Sequence, residues 1–159
     1  MRVAGIDLPG RLWVGTGGLS STSLVGEIVE DAAPGLVTVS VRRTCDTGNG
    51  GLLDTLRGLG VRILPNTAGC LSAREAVLTA HLAREALETD WVKLEVIGDE
   101  TCLMSDAVEL LDAAETLVHQ GFTVLPYTSP TRSLRAAWPT SGARPSCPSA
   151  HPAPGTLRR

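Results

Sequence analysis

Trp91-Val92-Lys93-Leu94-Glu95-Val96-Ile97 is apolar throughout except at two positions two residues apart. Along a strand, residues i and i+2 share a face. Val92, Leu94 and Val96 therefore pack one way, and Lys93 and Glu95 project together the other way. On either side stand helical patterns. Upstream, Ser72 to Leu87 repeats Ala76, Ala80, Leu82 and Ala83 at helical spacing, with Ser72 and Glu75 as a capping box. Downstream, Asp106 to Gln120 carries Val108, Leu111, Leu117 and Val118. Beyond these lie further strand patterns: Val61–Leu64 stopped by Pro65, and Phe122–Leu125 stopped by Pro126. Farther out are Leu36–Val41, the short run Leu12–Gly15, and helix candidates at Leu52–Leu59 and Ser20–Ala33, the last with Leu24, Ile28 and Val29 on one face. Strands alternating with helices imply parallel βα units, either an open sheet or a barrel.

The chain has 159 residues, the size of one domain. Apolar residues make up 43% and charged residues 19%, which permits a core and argues against wholesale disorder. A net charge of −3 disfavours a general nucleic-acid or membrane-surface binder. No apolar run approaches the ~18–20 residues of a membrane span, and Met1–Asp7 lacks the apolar core of a signal peptide. A cytoplasmic protein is the expectation. Cys45, Cys70, Cys102 and Cys147 form no C-x-x-C pair, and His81, His119 and His151 are equally scattered, so neither a metal site nor a disulfide framework is expected.

Composition divides the chain. Residues 1–128 hold nine basic and all seventeen acidic side chains, whereas 129–159 hold five arginines, six of the ten prolines and no acid. The tail is expected to be unstructured.

In either α/β architecture, functional residues gather at the carboxyl ends of the strands. Those ends are Gly15–Gly18, Arg42–Arg43, Asn66–Thr67, Lys93–Asp99 and Tyr127–Thr128. Lys93 is the single lysine beside thirteen arginines. A lysine amine freed of its proton by desolvation can form an imine, which a guanidinium cannot. A buried strand suits such an amine, and Glu95 shares its face. The plain alternative is an ion pair at a strand end. Gly15-Thr16-Gly17-Gly18 either offers amides to a phosphate or forms a tight turn. Arg42-Arg43 pairs with an anion or with a structural carboxylate. Asn66-Thr67 hydrogen-bonds a substrate or caps a helix.

Taken together, Trp13-Val14-Gly15-Thr16-Gly17, Val37–Arg43, Leu64-Pro65-Asn66-Thr67-Ala68-Gly69, Ala80–Ala86, Trp91–Asp99 and Val124-Leu125-Pro126-Tyr127-Thr128 resemble, in order, the bacterial thiazole synthases of thiamine biosynthesis. The resemblance covers residues 3–128. It implies a partial (βα)8 TIM barrel, about the first five βα units, over domain 1–128. It implies that Lys93 forms a Schiff base with the ketone of 1-deoxy-D-xylulose 5-phosphate and that Glu95 gives acid–base help. It further implies sulfur from a thiocarboxylated sulfur-carrier protein, dehydroglycine from a separate enzyme, and a homo-oligomer in the intact family. No cofactor is implied. Another class I Schiff-base barrel enzyme of the aldolase type is the alternative, and a non-catalytic fragment is a third reading.

The family pattern continues with a strand ending Met-Pro-x-Gly and another carrying Asp-Ala-Gly, the source of phosphate binding and of a catalytic aspartate. Residues 129–159 carry neither, so the substrate-binding residues stay unassigned. Back-translated one base out of register from Thr131, the tail admits a Met-Pro pair at the family's spacing. A one-base frameshift near Ser129–Pro130 is therefore expected, with an inactive product.

Overall fold

The computed structural model describes residues 1–19, 21–42, 51–99, 101 and 103–128. The chain opens with a hairpin of β1 (Arg2–Val3) and β2 (Ile6–Asp7), then β3 (Trp13–Gly15), α1 (Thr22–Ala32) and β4 (Leu36–Ser40). After these come α2 (Gly51–Gly58), β5 (Ile63–Asn66), α3 (Ala73–Leu87) and β6 (Trp91–Leu94). A second small hairpin, β7 (Ile97–Asp99) and β8 (Met104–Ser105), precedes α4 (Ala107–His119) and β9 (Thr123–Pro126). Strands β3, β4, β5, β6 and β9 form one parallel five-stranded sheet in that order.

Strand order follows chain order, so crossovers of one hand place every helix on the same face. The side chains agree. Val37 and Val39 of β4 pack under Val25 and Val29 of α1 and Leu56 of α2. Val92 and Leu94 of β6 and Val124 of β9 pack under Ala76 and Ala80 of α3 and Leu110 and Leu117 of α4. The alternate residues, Leu36, Leu64, Trp91 and Leu125, face the other way and are covered by Val3 and Leu8 at the first hairpin. Full burial of each such aliphatic side chain contributes about 1.5–3 kcal/mol. The hairpin segment approaches so closely that a Cβ on Gly35 would fall on the Gly10 carbonyl.

The expected partial barrel is corrected here. The described residues make an open α/β sheet, in which β3 pairs only with β4 and β9 only with β6. Closing a barrel needs the two edges to meet with matched tilt and stagger. Five sequential strands leave them apart, and the hairpin, not a closing strand, covers the face away from the helices.

Element limits differ in instructive ways. Pro126 ends β9 as expected, whereas Pro65, expected to stop its strand, lies inside β5, in register with Val39. The α3 cap is as expected: Ser72 Oγ accepts from Glu75 N at 3.3 Å. Glu75 Oε2 accepts in return from Leu71 N, at 3.0 Å. Leu24, Leu82 and Val108, read as inner positions, are exposed, Val108 to 76%. The tail 129–159, Arg43, and Cys45, Cys102 and Cys147 lie outside the described residues. No described helix is long and apolar enough to cross a membrane.

Candidate active site

The sheet face away from the helices has two halves. Its amino-terminal half lies under the first hairpin. Toward the carboxyl ends the same face turns polar: Ser40 is in register with Asn66, and Asn66 with Lys93. The alternation that sends Leu36, Leu64 and Trp91 to this face sends these three residues there as well.

Lys93 and Glu95 meet on it. Nζ of Lys93 stands 3.9 Å from Oε2 of Glu95, with the two side chains 21% and 15% exposed. The ammonium also lies over the Tyr127 ring, 4.4 Å from its centroid, a cation–π contact from the turn after β9. Burial pushes the Glu95 carboxyl above its ordinary range, and the charge of Lys93 opposes that rise without cancelling it. A carboxyl so placed holds a proton to higher pH than an exposed one and can give it to, or take it from, a neighbour. The arrangement thus supplies a primary amine, an acid–base group within reach of it, and partial exclusion of water.

Thr67 was expected to bind substrate or cap a helix; its hydroxyl is engaged by the backbone of Glu95. It is fully buried, and its hydroxyl accepts from Glu95 N at 2.8 Å and donates to Glu95 O at 2.7 Å. Its own amide donates to Lys93 O at 3.2 Å. Asn66 Oδ1 accepts from Ala68 N, so Asn66 shapes the turn that follows β5. That turn closes from Cys70 N to Thr67 O at 3.1 Å, with Gly69 at φ 85°, a conformation that favours glycine. Arg42 braces it by donating to the Gly69 carbonyl. Sequence reasoning had no signal for the Thr67 role, because its partner lies 28 residues away.

The glycine segment behaves as a turn. Thr16 N and Oγ1 both donate to Thr38 O, at 3.2 and 3.0 Å, and Leu19 N donates to Thr16 O at 3.1 Å. Cys70 is buried against Thr79, Sγ to Oγ1 3.4 Å, and burial pushes its thiol up, away from reactivity. Among the described residues no group of three or more His, Cys, Asp or Glu is placed to hold a metal ion. A cleft of about 720 Å³ opens at the opposite end of the sheet, lined by residues such as Asp7, Arg57, Arg62 and Glu88. None of the strand-end residues lines it, so it is not the candidate site.

Two comparisons bear on this arrangement. A family model described as thiazole biosynthesis protein ThiG matches residues 2–155. The match includes Lys93 and Glu95 and reaches well into the segment that composition sets apart. Among solved structures, a chain of the crystal structure of the Amycolatopsis orientalis BexX/CysO complex superposes with a TM-score of 0.73 at 21% identity. The alignment covers 90% of the present chain and 59% of that one, so the present chain spans about three fifths of its length. At that identity the likeness speaks to the fold alone.

Proposed function

The chain belongs to the thiazole biosynthesis protein ThiG family, and on that footing we propose that it carries the Schiff-base centre of a thiazole synthase, a transferase, with Lys93 as the imine-forming amine and Glu95 as its acid–base partner. The observation that carries the reading is the pairing of the chain's single lysine with a half-buried glutamate, 3.9 Å apart, at the polar end of the sheet. The aldolase-type alternative has no comparable support from family membership.

The chemistry follows from the pair. A proton passed from the ammonium to the carboxylate leaves a neutral amine beside a neutral acid. The amine attacks the ketone carbon of 1-deoxy-D-xylulose 5-phosphate, forming a C–N bond while the oxygen takes up a proton. Glu95 then protonates the departing hydroxyl, water leaves, and the imine forms. As a carboxylate, Glu95 removes a proton from the adjacent carbon, and the electron pair moves onto the imine nitrogen. This step lets the carbonyl migrate along the sugar. Sulfur from a thiocarboxylated carrier protein, and carbon and nitrogen from dehydroglycine, complete the thiazole. A homo-oligomer belongs to the same reading.

Lys93→Arg tests the assignment. It keeps the charge and loses the nucleophile. Borohydride in the presence of the keto-sugar phosphate is expected to trap one adduct mass on the natural chain and none on the variant, with unchanged circular dichroism. Equal trapping on Lys93→Arg would remove the lysine from the mechanism.

The proposal extends to the tail. The Arg- and Pro-rich composition of 129–159 favours an out-of-frame origin and low turnover in this chain. The family match to residue 155 favours the competing reading, in which the tail belongs to the enzyme. Resequencing the gene across these codons, and assaying thiazole formation with and without a restored frame, decides between them. Equal turnover of the two chains rejects the out-of-frame reading.

A further inference from the structure

We propose that Thr67 is the positioning residue of the Lys93–Glu95 pair: its hydroxyl stands in for a missing strand neighbour and fixes where the glutamate sits. The inference rests on the reading of Lys93 and Glu95 given above.

Strands β5 and β6 come into register at Asn66 and Lys93. Beyond that point the chain after β5 leaves the sheet in the turn Thr67–Cys70, closed from Cys70 N to Thr67 O. A continuing parallel neighbour would have offered its own amide and carbonyl groups to Glu95. None arrives there, and Glu95 lies where an unpaired amide or carbonyl is unfavourable. The Thr67 hydroxyl fills both roles, since one O–H donates while its lone pairs accept. It donates to Glu95 O at 2.7 Å and accepts from Glu95 N at 2.8 Å. The pairing resumes one step further on, where Ile97 N donates to Cys70 O at 2.8 Å.

Lys93 O is tied to Thr67 N, Glu95 to Thr67 Oγ1, and Ile97 N to the end of the same turn. One turn therefore sets the backbone at 93, 95 and 97 together. The side chains that carry the chemistry project from the first two of those positions. The Thr67 hydroxyl bonds the backbone of Glu95, so its influence runs through the placement of that residue.

Thr67→Val keeps the shape and removes the hydroxyl; Thr67→Ser keeps the hydroxyl. Thr67→Cys offers only a weak thiol donor and acceptor, and serves in place of the valine variant if that chain does not fold. Because the chain has one lysine, protein labelled with ¹³C,¹⁵N-lysine gives a single side-chain Cε–Nζ correlation, whose pH dependence reads the neighbouring carboxyl directly and without turnover. The natural chain and Thr67→Ser are expected to show an inflection from Glu95 above the ordinary carboxylate range. In Thr67→Val that inflection moves down into the ordinary range or disappears. Borohydride trapping by Thr67→Val is expected to slow at least tenfold, with Thr67→Ser within about threefold of the natural chain. An unchanged inflection in Thr67→Val, or a serine variant as impaired as the valine one, overturns the inference. The reading beneath it fails separately, by adduct persisting on Lys93→Arg, whatever Thr67 does.

Discussion

Glu95 shows how a single side chain links the site to stability. Its carboxyl titrates above the ordinary range because burial disfavours the charged form. Between the unfolded value and the raised folded value, the native state binds more protons than the unfolded state. Stability therefore falls as pH rises through that window and levels off above it. Glu95→Gln removes the titration, so its urea midpoint, followed from pH 4 to 8, is expected to lack the part of the decline that the natural chain shows. An identical decline in both would place the titrating group elsewhere. At this scale the Lys93–Glu95 pair was legible in the sequence, because a two-residue spacing in an apolar run dictates a common face. Thr67 was not legible, because its meaning lies in a backbone 28 residues away.

The helices were legible as elements but not in every face. Ala76, Ala80 and Ala83 of α3 are buried as their spacing required, while Leu82 on the same helix is exposed, as are Leu24 and Val108. Periodicity marks an apolar stripe; the neighbour that packs against it decides which part of the stripe is covered. Pro65 misled for a related reason, since β5 runs one residue past it. Proline lacks only a donor, so a strand continues through it where no ladder bond needs that N–H. Helix α4 is anchored from both sides of its start. Asp106 Oδ1 accepts from Val108 N and Glu109 N at 2.9 and 3.0 Å. Glu109 Oε2 accepts from Ala73 N at 2.7 Å, which caps the neighbouring α3. Asp106→Ala is expected to lower unfolding free energy by about 1 kcal/mol. Leu110→Ala, which empties a fully buried position under α4, is expected to lower it by about 2–5 kcal/mol. Chemical denaturation of the two variants checks both the magnitudes and their order.

Across the whole molecule, the βα alternation was legible and the closure of the sheet was not. Every local pattern here fits a barrel and an open sheet equally; the difference lies in whether the two edge strands meet, which no short stretch encodes. The open sheet has β6 next to its edge strand β9, with Leu94 fully buried against the helices and Lys93 half-buried on the other face. A lysine-specific endoprotease finds one scissile bond in the entire chain, Lys93–Leu94. A protease needs an extended, accessible segment, and this bond is presented only when β6 leaves the sheet. Cleavage under native conditions is therefore expected to track the opening of the sheet: slow in water, accelerating with urea in step with the loss of circular dichroism, and faster in Leu110→Ala in proportion to its lost stability. Rapid cutting of the folded chain would show that β6 detaches locally. The residue that makes the chain chemically interesting thus also makes it a self-contained reporter, in which a single cut registers each passage through the open state.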